Sequence, residues 1–265
     1  MSISTFALGL DITNSNSPLS FETSGGGSWP VWHRYISLNG QPAFEIGNIC
    51  NTCEFFFERK EGANAKVEIA ELASQLALGL TKEDRSSIEA LSEMIPLGNY
   101  QVHLLEVYPN LIELGSNADY FVSEQQRVWG LDGFWGLPHY PKTPYYRSGD
   151  RSLSKHSRLF EFIIPMYPEN WLNSDRLEAY LEIIREGKMP TAVSLSVLDV
   201  KAPADSLEEE CEHWCLAHYL LDGHHKMAAA AKSRCPITMV SFIAVEHGVS
   251  SKADVMSLGR NLDFY

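Results

Sequence analysis

The chain has 265 residues, 45% of them hydrophobic and 21% charged, a composition that predicts a soluble globular protein with length for one large or two modest domains. The 34 acidic residues outnumber the 21 Lys and Arg and leave a net charge of −13. A protein that neutralises several phosphates of a duplex needs a basic face, so DNA binding is disfavoured. No run of about 18 apolar residues occurs, and no membrane span is expected.

Residues 1–20 lack a basic leader, and Asp11 interrupts their only apolar stretch, so no signal peptide is expected and the location reads as cytoplasmic. The 5 cysteines, an odd number in a long chain, fit a reducing compartment. Ser24-Gly25-Gly26-Gly27-Ser28 reads as a flexible loop. Tyr35 to Leu38 and Pro42 to Ile46 then flank Asn39-Gly40, a hairpin with a tight turn. Cys50-Asn51-Thr52-Cys53 follows. Glu68 to Leu78 and Lys82 to Met94 read as helices, with Thr81 and Asp84 forming an N-terminal cap of the capping-box kind. Gln101 to Val107 reads as a strand, and Trp129 to Arg151, rich in Gly, Pro and aromatic residues, as an ordered surface loop. Residues 1–150 are thus expected to form an α+β region of unknown fold.

The second half is more regular. Leu177, Tyr180, Leu181 and Ile184 stand at i, i+3, i+4 and i+7, an amphipathic helix ended by Gly187 and Pro190. Thr191 to Leu198 reads as a strand. Tyr219-Leu220-Leu221 then breaks at Asp222-Gly223, and His224-His225-Lys226 opens a helix of almost pure helix formers before a β-rich run from Pro236 to Ile243. Gly223 can take φ > 0, and the free N–H groups of the next turn can meet an anion. Cationic side chains there oppose the helix dipole, which a bound phosphate would reverse. Without a ligand, Asp-Gly before a helix is an ordinary turn in which Asp braces the backbone and the histidines cap or pack.

The order helix, "REGKMPTAVSLSVLDV", short connection, "HYLLDGHHKMAAAAKSRCPITMVSF" resembles the ParB/sulfiredoxin-like superfamily over residues 156–248. The resemblance implies an α/β domain over 156–250, followed by a C-terminal tail over 251–265. It also implies that Asp222, Gly223, His224, His225 and Lys226 form the phosphate-binding loop of a nucleotide site. "DGHH" followed by a basic residue looks most like the free serine kinase branch and its uncharacterised relatives. Lys226 stands where Arg is usual and meets a phosphate as a point charge, without the bidentate fork. The sulfiredoxin cysteine has no counterpart here, and the helix-turn-helix and dimerisation segments of the partition proteins have no room after Gly248.

The resemblance therefore implies a protein that binds ATP or another nucleotide with Mg²⁺, or a small phosphorylated ligand, with an ATP-dependent phosphotransferase as its enzymatic form. Such an enzyme needs a carboxylate to orient or deprotonate an acceptor hydroxyl. Glu161 and Glu169 are candidates, with Asp175 nearby, and Asp222 can hold Mg²⁺ or brace its turn. Trp129, Trp135, Tyr140, Tyr145 and Tyr146 can line a pocket for a flat substrate or pack between the halves. Cys50, Cys53, Cys211 and Cys215 can bind zinc if the halves touch, the first pair can work as a redox CxxC, or all four can pack as small buried residues. The reading from a different class is a non-catalytic, zinc-stabilised module that binds or regulates a protein partner.

Overall fold

Alternating exposure along Ile3–Ile12 marks the first strand, β1, of a chain whose computed structural model describes residues 2–13, 16–65, 72–130, 141, 143–204 and 208–262. Strands β2 (Leu19–Gly26), β3 (Trp29–Leu38), β4 (Gln41–Asn48) and β5 (Glu58–Arg59) form an antiparallel sheet in chain order. Asn39 and Gly40, at φ 53° and 73°, make the expected tight turn between β3 and β4. The glycines expected to form a flexible loop instead end β2 and turn it into β3. Gly26 lies against the Trp32 ring, where a Cβ would come within 2.8 Å of Trp32 Cδ1.

Two short helices follow, α1 (Ala73–Leu78) and α2 (Arg85–Ala90), the latter continued by a 3-10 turn over Leu91–Met94. The first half of the helix expected from Glu68 lies outside the described residues. Asp84 accepts from both the backbone N–H and the hydroxyl of Thr81 at 2.8 Å, so the predicted cap contact forms and the helix starts after it.

The main sheet joins β1 to β6 (Gly98–Val107), β7 (Asn110–Leu111), β8 (Tyr146–Ser152), β9 (Ser157–Pro165), β10 (Thr191–Lys201), β11 (Glu212–Asp222) and β12 (Ile237–Ala244) in the order β1-β6-β12-β10-β11-β9-β8-β7. The pairs β9/β11 and β10/β12 are parallel and the others antiparallel. Parallel pairing requires crossovers, which α4 (Ser174–Arg185) and α5 (His224–Ser233) supply. The fold is α+β, as expected. The sheet takes strands from both halves of the chain, and the boundary expected at residue 150 falls inside β8. Segment 251–265, expected as a tail, contains α6 (Lys252–Leu262), opened by reciprocal Ser251 and Asp254 hydrogen bonds and burying Val255, Leu258 and Leu262.

The main sheet separates two cores. One face packs on the four-stranded sheet, α1 and α2, through residues such as Phe44, Phe162, Val193 and Tyr219, and the other on α4, α5 and α6. Helix α3 (Glu124–Trp129) is a separate short turn before residue 131. Only Tyr108 and Pro109 separate β6 from β7, although these strands stand second and last in the sheet. The sheet therefore curls: Ser2, whose neighbour Ile3 pairs with β6, bonds to Glu161 on β9 and Ser148 on β8.

One ion pair locks the two sheets together. Arg34 on β3 makes a bidentate contact with Asp199 on β10 at 3.0 and 2.6 Å, and its other donors reach the carbonyls of Ile46, Asn48 and His247. The guanidinium carries five N–H donors, so it is fully satisfied in a site where both partners are almost wholly buried. Arg34→Met leaves Asp199 buried without its guanidinium partner and with the Val249 N–H as a remaining hydrogen bond, and urea unfolding should show a loss of about 3–5 kcal/mol, much of it recovered when Asp199→Leu is added. A loss below about 1 kcal/mol would mean that the pair behaves as an exposed one.

Candidate functional site

Strand β11 ends at Asp222, and Gly223, at φ 97°, turns the chain into α5. The glycine is required, because a Cβ there would lie 2.7 Å from the Ala192 Cβ. The room it leaves is filled by β10. Lys226 Nζ, buried, donates to Asp222 Oδ2 at 2.7 Å and to the Thr191 carbonyl at 2.8 Å. His224 Nε2 accepts the N–H of Met166 at 3.0 Å, with its ring stacked on Tyr167 at 4.2 Å, and His225 Nε2 accepts the N–H of Asn173 at 2.9 Å. An imidazole nitrogen that accepts from a backbone N–H carries no proton, so both rings are neutral with the proton on Nδ1.

Electrostatics agree with this assignment. Burial pushes His224 down to about 3, and burial with Arg176 nearby lowers His225. Lys226 is lowered by burial, against the opposing pull of Asp222. The side chains expected to cradle a phosphate are therefore occupied by protein partners, and together they clamp the crossover between β9 and α4. Asp222 braces Lys226.

The clamp shapes a groove along the outer face of α5. His224, Ala228, Ala231 and Lys232, at i, i+4, i+7 and i+8, form its floor. Leu111 and Tyr146 wall it from the curled sheet edge, Leu172 and Leu177 from the crossover and α4, and Lys232 and Arg234 stand at one end. Glu169, a sequence candidate, lies midway and is the one carboxylate among the described lining residues. Burial, with Glu169 beside it, pushes the Tyr146 hydroxyl up to about 12, so it remains a donor at neutral pH. The other expected pocket aromatics are elsewhere. Tyr145 is in the core bonded to Asp119, Trp129 donates to the Thr52 carbonyl, and Trp135 and Tyr140 lie outside the described residues. Asp175 is exposed in the first turn of α4.

Glu161, the other candidate, is fully buried on the helix-facing side of the main sheet. It belongs to a polar belt that crosses five adjacent strands through His103, Ser241, Ser196, His218 and Glu161. Ser196 Oγ lies 2.8 Å from His218 Nδ1 and 2.9 Å from Ser241 Oγ, and Glu161 accepts the Ser2 N–H at 2.8 Å. Glu161 Oε1 and His218 Nε2 face each other at 3.7 Å, and neither has a hydrogen-bond partner among the described residues. Burial alone would raise the Glu161 carboxyl; His218 and the Ser2 N–H outweigh it and hold the group below the ordinary range. Ser196, His218 and Glu161 have the residue types of a nucleophilic triad, but all three are wholly buried and no substrate can reach them.

Cys50 and Cys53 are bonded to each other. Cys215 is buried on β11 near the Tyr120 hydroxyl, and Cys211 is a partly exposed free thiol. Among the described residues no group of three or more His, Cys, Asp or Glu is arranged to hold a metal ion, and no helix is long and apolar enough to cross a membrane. Two of the four expected zinc ligands are thus a disulfide rather than thiolates. No protein-family model, curated protein or solved structure matches the chain.

The neutral state of His224 has a measurable consequence. Unfolded, this imidazole titrates near 6.5, while folded it stays proton-free to about 3. Its contribution to stability is complete above about pH 6.5 and is lost as pH falls towards 3, at about 1.4 kcal/mol per pH unit. His224→Gln keeps an acceptor for Met166 but cannot titrate, so its stability should fall less steeply with acid than that of the wild type. Equal slopes would place a protonated imidazole at the turn.

Proposed function

We propose that this protein binds a small phosphorylated ligand, nucleotides included, in the groove along α5, with the Asp222–Lys226 turn holding the groove together rather than touching phosphate. The observation that carries this reading is a pair of cations, Lys232 and Arg234, at one end of an otherwise largely apolar groove in a chain of net charge −13. An anion approaching such a chain meets repulsion over most of the surface and is favoured only where positive charge is local. Lys232 is free to turn to a ligand: its contact with Glu178 is 3.8 Å long between two side chains about 60% exposed, an interaction of little worth. Arg234 has no ion-pair partner among the described residues.

The rest of the lining fits the body of such a ligand. Leu111, Leu172 and Leu177 offer apolar contact, and the Tyr146 hydroxyl offers a donor. Glu169 is the carboxylate that can accept from a ligand hydroxyl. In a phosphotransferase it would be the residue that orients the acceptor.

Thermal unfolding with ATP, ADP, CTP and inorganic phosphate, each with and without Mg²⁺, tests the reading. A ligand at about 100 times its Kd adds about 2.7 kcal/mol to native stability. That gain should vanish in Lys232→Ala/Arg234→Ala, a change at the surface that leaves the core intact. A gain that survives the double substitution and is lost in Lys226→Met would move the ligand to the turn, and no gain with any ligand would refute phosphate binding.

A further inference from the structure

The Cys50–Cys53 pair is the part of the molecule that the groove does not account for. Its loop follows β4 and is held at the main chain by four hydrogen bonds. Asn48 Oδ1 accepts the Cys50 N–H at 3.0 Å, and Lys201 Nζ donates to the Cys50 carbonyl at 2.5 Å. Ala202 N–H donates to the Asn51 carbonyl at 2.9 Å, and Trp129 Nε1 to the Thr52 carbonyl at 2.8 Å. The loop therefore keeps its shape without help from the sulfurs.

A disulfide between residues three apart closes a minimal ring, the case in which a crosslink restricts the unfolded chain least. It ties no second element to the fold. Cys50 and Cys53 are both partly exposed, and Asn51 and Thr52 between them are exposed, so an outside thiol can approach. Thr52 Oγ1 lies 3.4 Å from Cys50 Sγ, placed to donate to a thiolate there. The buried ammonium of Lys201, beneath the same residue, adds positive charge near that sulfur. Both effects stabilise an anionic Cys50.

We propose that Cys50 and Cys53 form a redox-active pair that exchanges with small thiols and dithiols, with Cys50 as the sulfur that leaves and attacks as thiolate. In reduction, a dithiol's thiolate attacks Cys53 Sγ, the Cys50–Cys53 bond breaks, and Cys50 leaves as a thiolate. The dithiol's second thiolate then attacks its own sulfur in the mixed disulfide and releases Cys53. Two electrons and two protons pass from the dithiol, which becomes a disulfide, to the protein, which becomes a dithiol. Oxidation is the same sequence in reverse: the Cys53 thiolate attacks a substrate disulfide and releases one of its thiolates, and the Cys50 thiolate then attacks Cys53 Sγ in the mixed disulfide, closing the Cys50–Cys53 bond and releasing the second.

The test is incubation of the full, folded chain in glutathione and dithiothreitol buffers, followed by alkylation, intact mass and peptide mapping, with Cys50→Ser/Cys53→Ser marking the background from Cys211, Cys215 and Cys235. Two additional alkylations should appear without denaturant and with the melting temperature essentially unchanged. Cys50 should react at least about fivefold faster than Cys53, and Thr52→Val should remove most of that difference. Protection of both sulfurs until denaturant is added, or a large fall in melting temperature on opening, would make the bond a structural crosslink and overturn the proposal. Equal reactivity of Cys50 and Cys53 would overturn the assignment of Cys50.

Discussion

Two main-chain N–H groups, those of Met166 and Asn173, tie the β9–α4 crossover to the first turn of α5. They lie where the chain leaves β9 and crosses to α4, away from any ladder; Met166 is buried, where an N–H without an acceptor costs about 1–3 kcal/mol, and Asn173 is at the surface. His224 and His225 supply the acceptors from the first turn of α5. That solution requires both rings to be neutral, requires Gly223 to bring the helix start against Ala192, and requires the one cation of the turn, Lys226, to be matched by Asp222 and Thr191. Each residue of the Asp-Gly-His-His-Lys run thus has a structural reason, and the groove inherits its wall from the crossover that they fix.

The main sheet carries a different kind of chemistry on each face. Towards the four-stranded sheet, Arg34 and Asp199 form a desolvated pair with every guanidinium donor used. Towards the helices, the belt from His103 to Glu161 is less complete, with Glu161 Oε1 and His218 Nε2 facing each other beyond bonding distance. Polar atoms without a partner at such depth are costly, so the belt carries a local penalty that the Arg34–Asp199 pair does not. The belt lies apart from the groove, whose charged groups Lys232 and Arg234 are at the surface.

Much of the second half was legible because each element there has one dominant signal. The spacing of Leu177 to Ile184, the β-rich runs beginning at Thr191 and Pro236, and the break at Asp222-Gly223 all map onto the elements found. The first half was harder to read. Its strand β1 alternates with small residues rather than strong β formers, and β2 ends in glycines that read as a loop until Trp32 is seen to need the space. Ser251 and Asp254 are a readable cap that would have revealed α6. At the site, Glu169 and Tyr146 were found by residue type, but Leu111, Lys232 and Arg234 were not. The groove depends on the sheet curling to bring β7 beside α5, which no local pattern encodes. The belt was partly visible, since a single polar residue stands inside an apolar run in Phe160-Glu161-Phe162, Ala217-His218-Tyr219 and Val240-Ser241-Phe242. Only pairing shows that these residues share a face.

The clamp requires His224 and His225 to be neutral acceptors of backbone N–H groups rather than cations that meet a phosphate. Long-range ¹H–¹⁵N correlation of the imidazole rings observes this directly. His224 should report a proton on Nδ1 and a bare, hydrogen-bonded Nε2 from neutral pH to about 5, His225 the same tautomer at neutral pH, and neither ring should gain a second proton when phosphate or nucleotide is added. A His224 ring doubly protonated near pH 6, or either ring gaining a second proton when phosphate is added, would contradict the clamp and return the turn to anion binding.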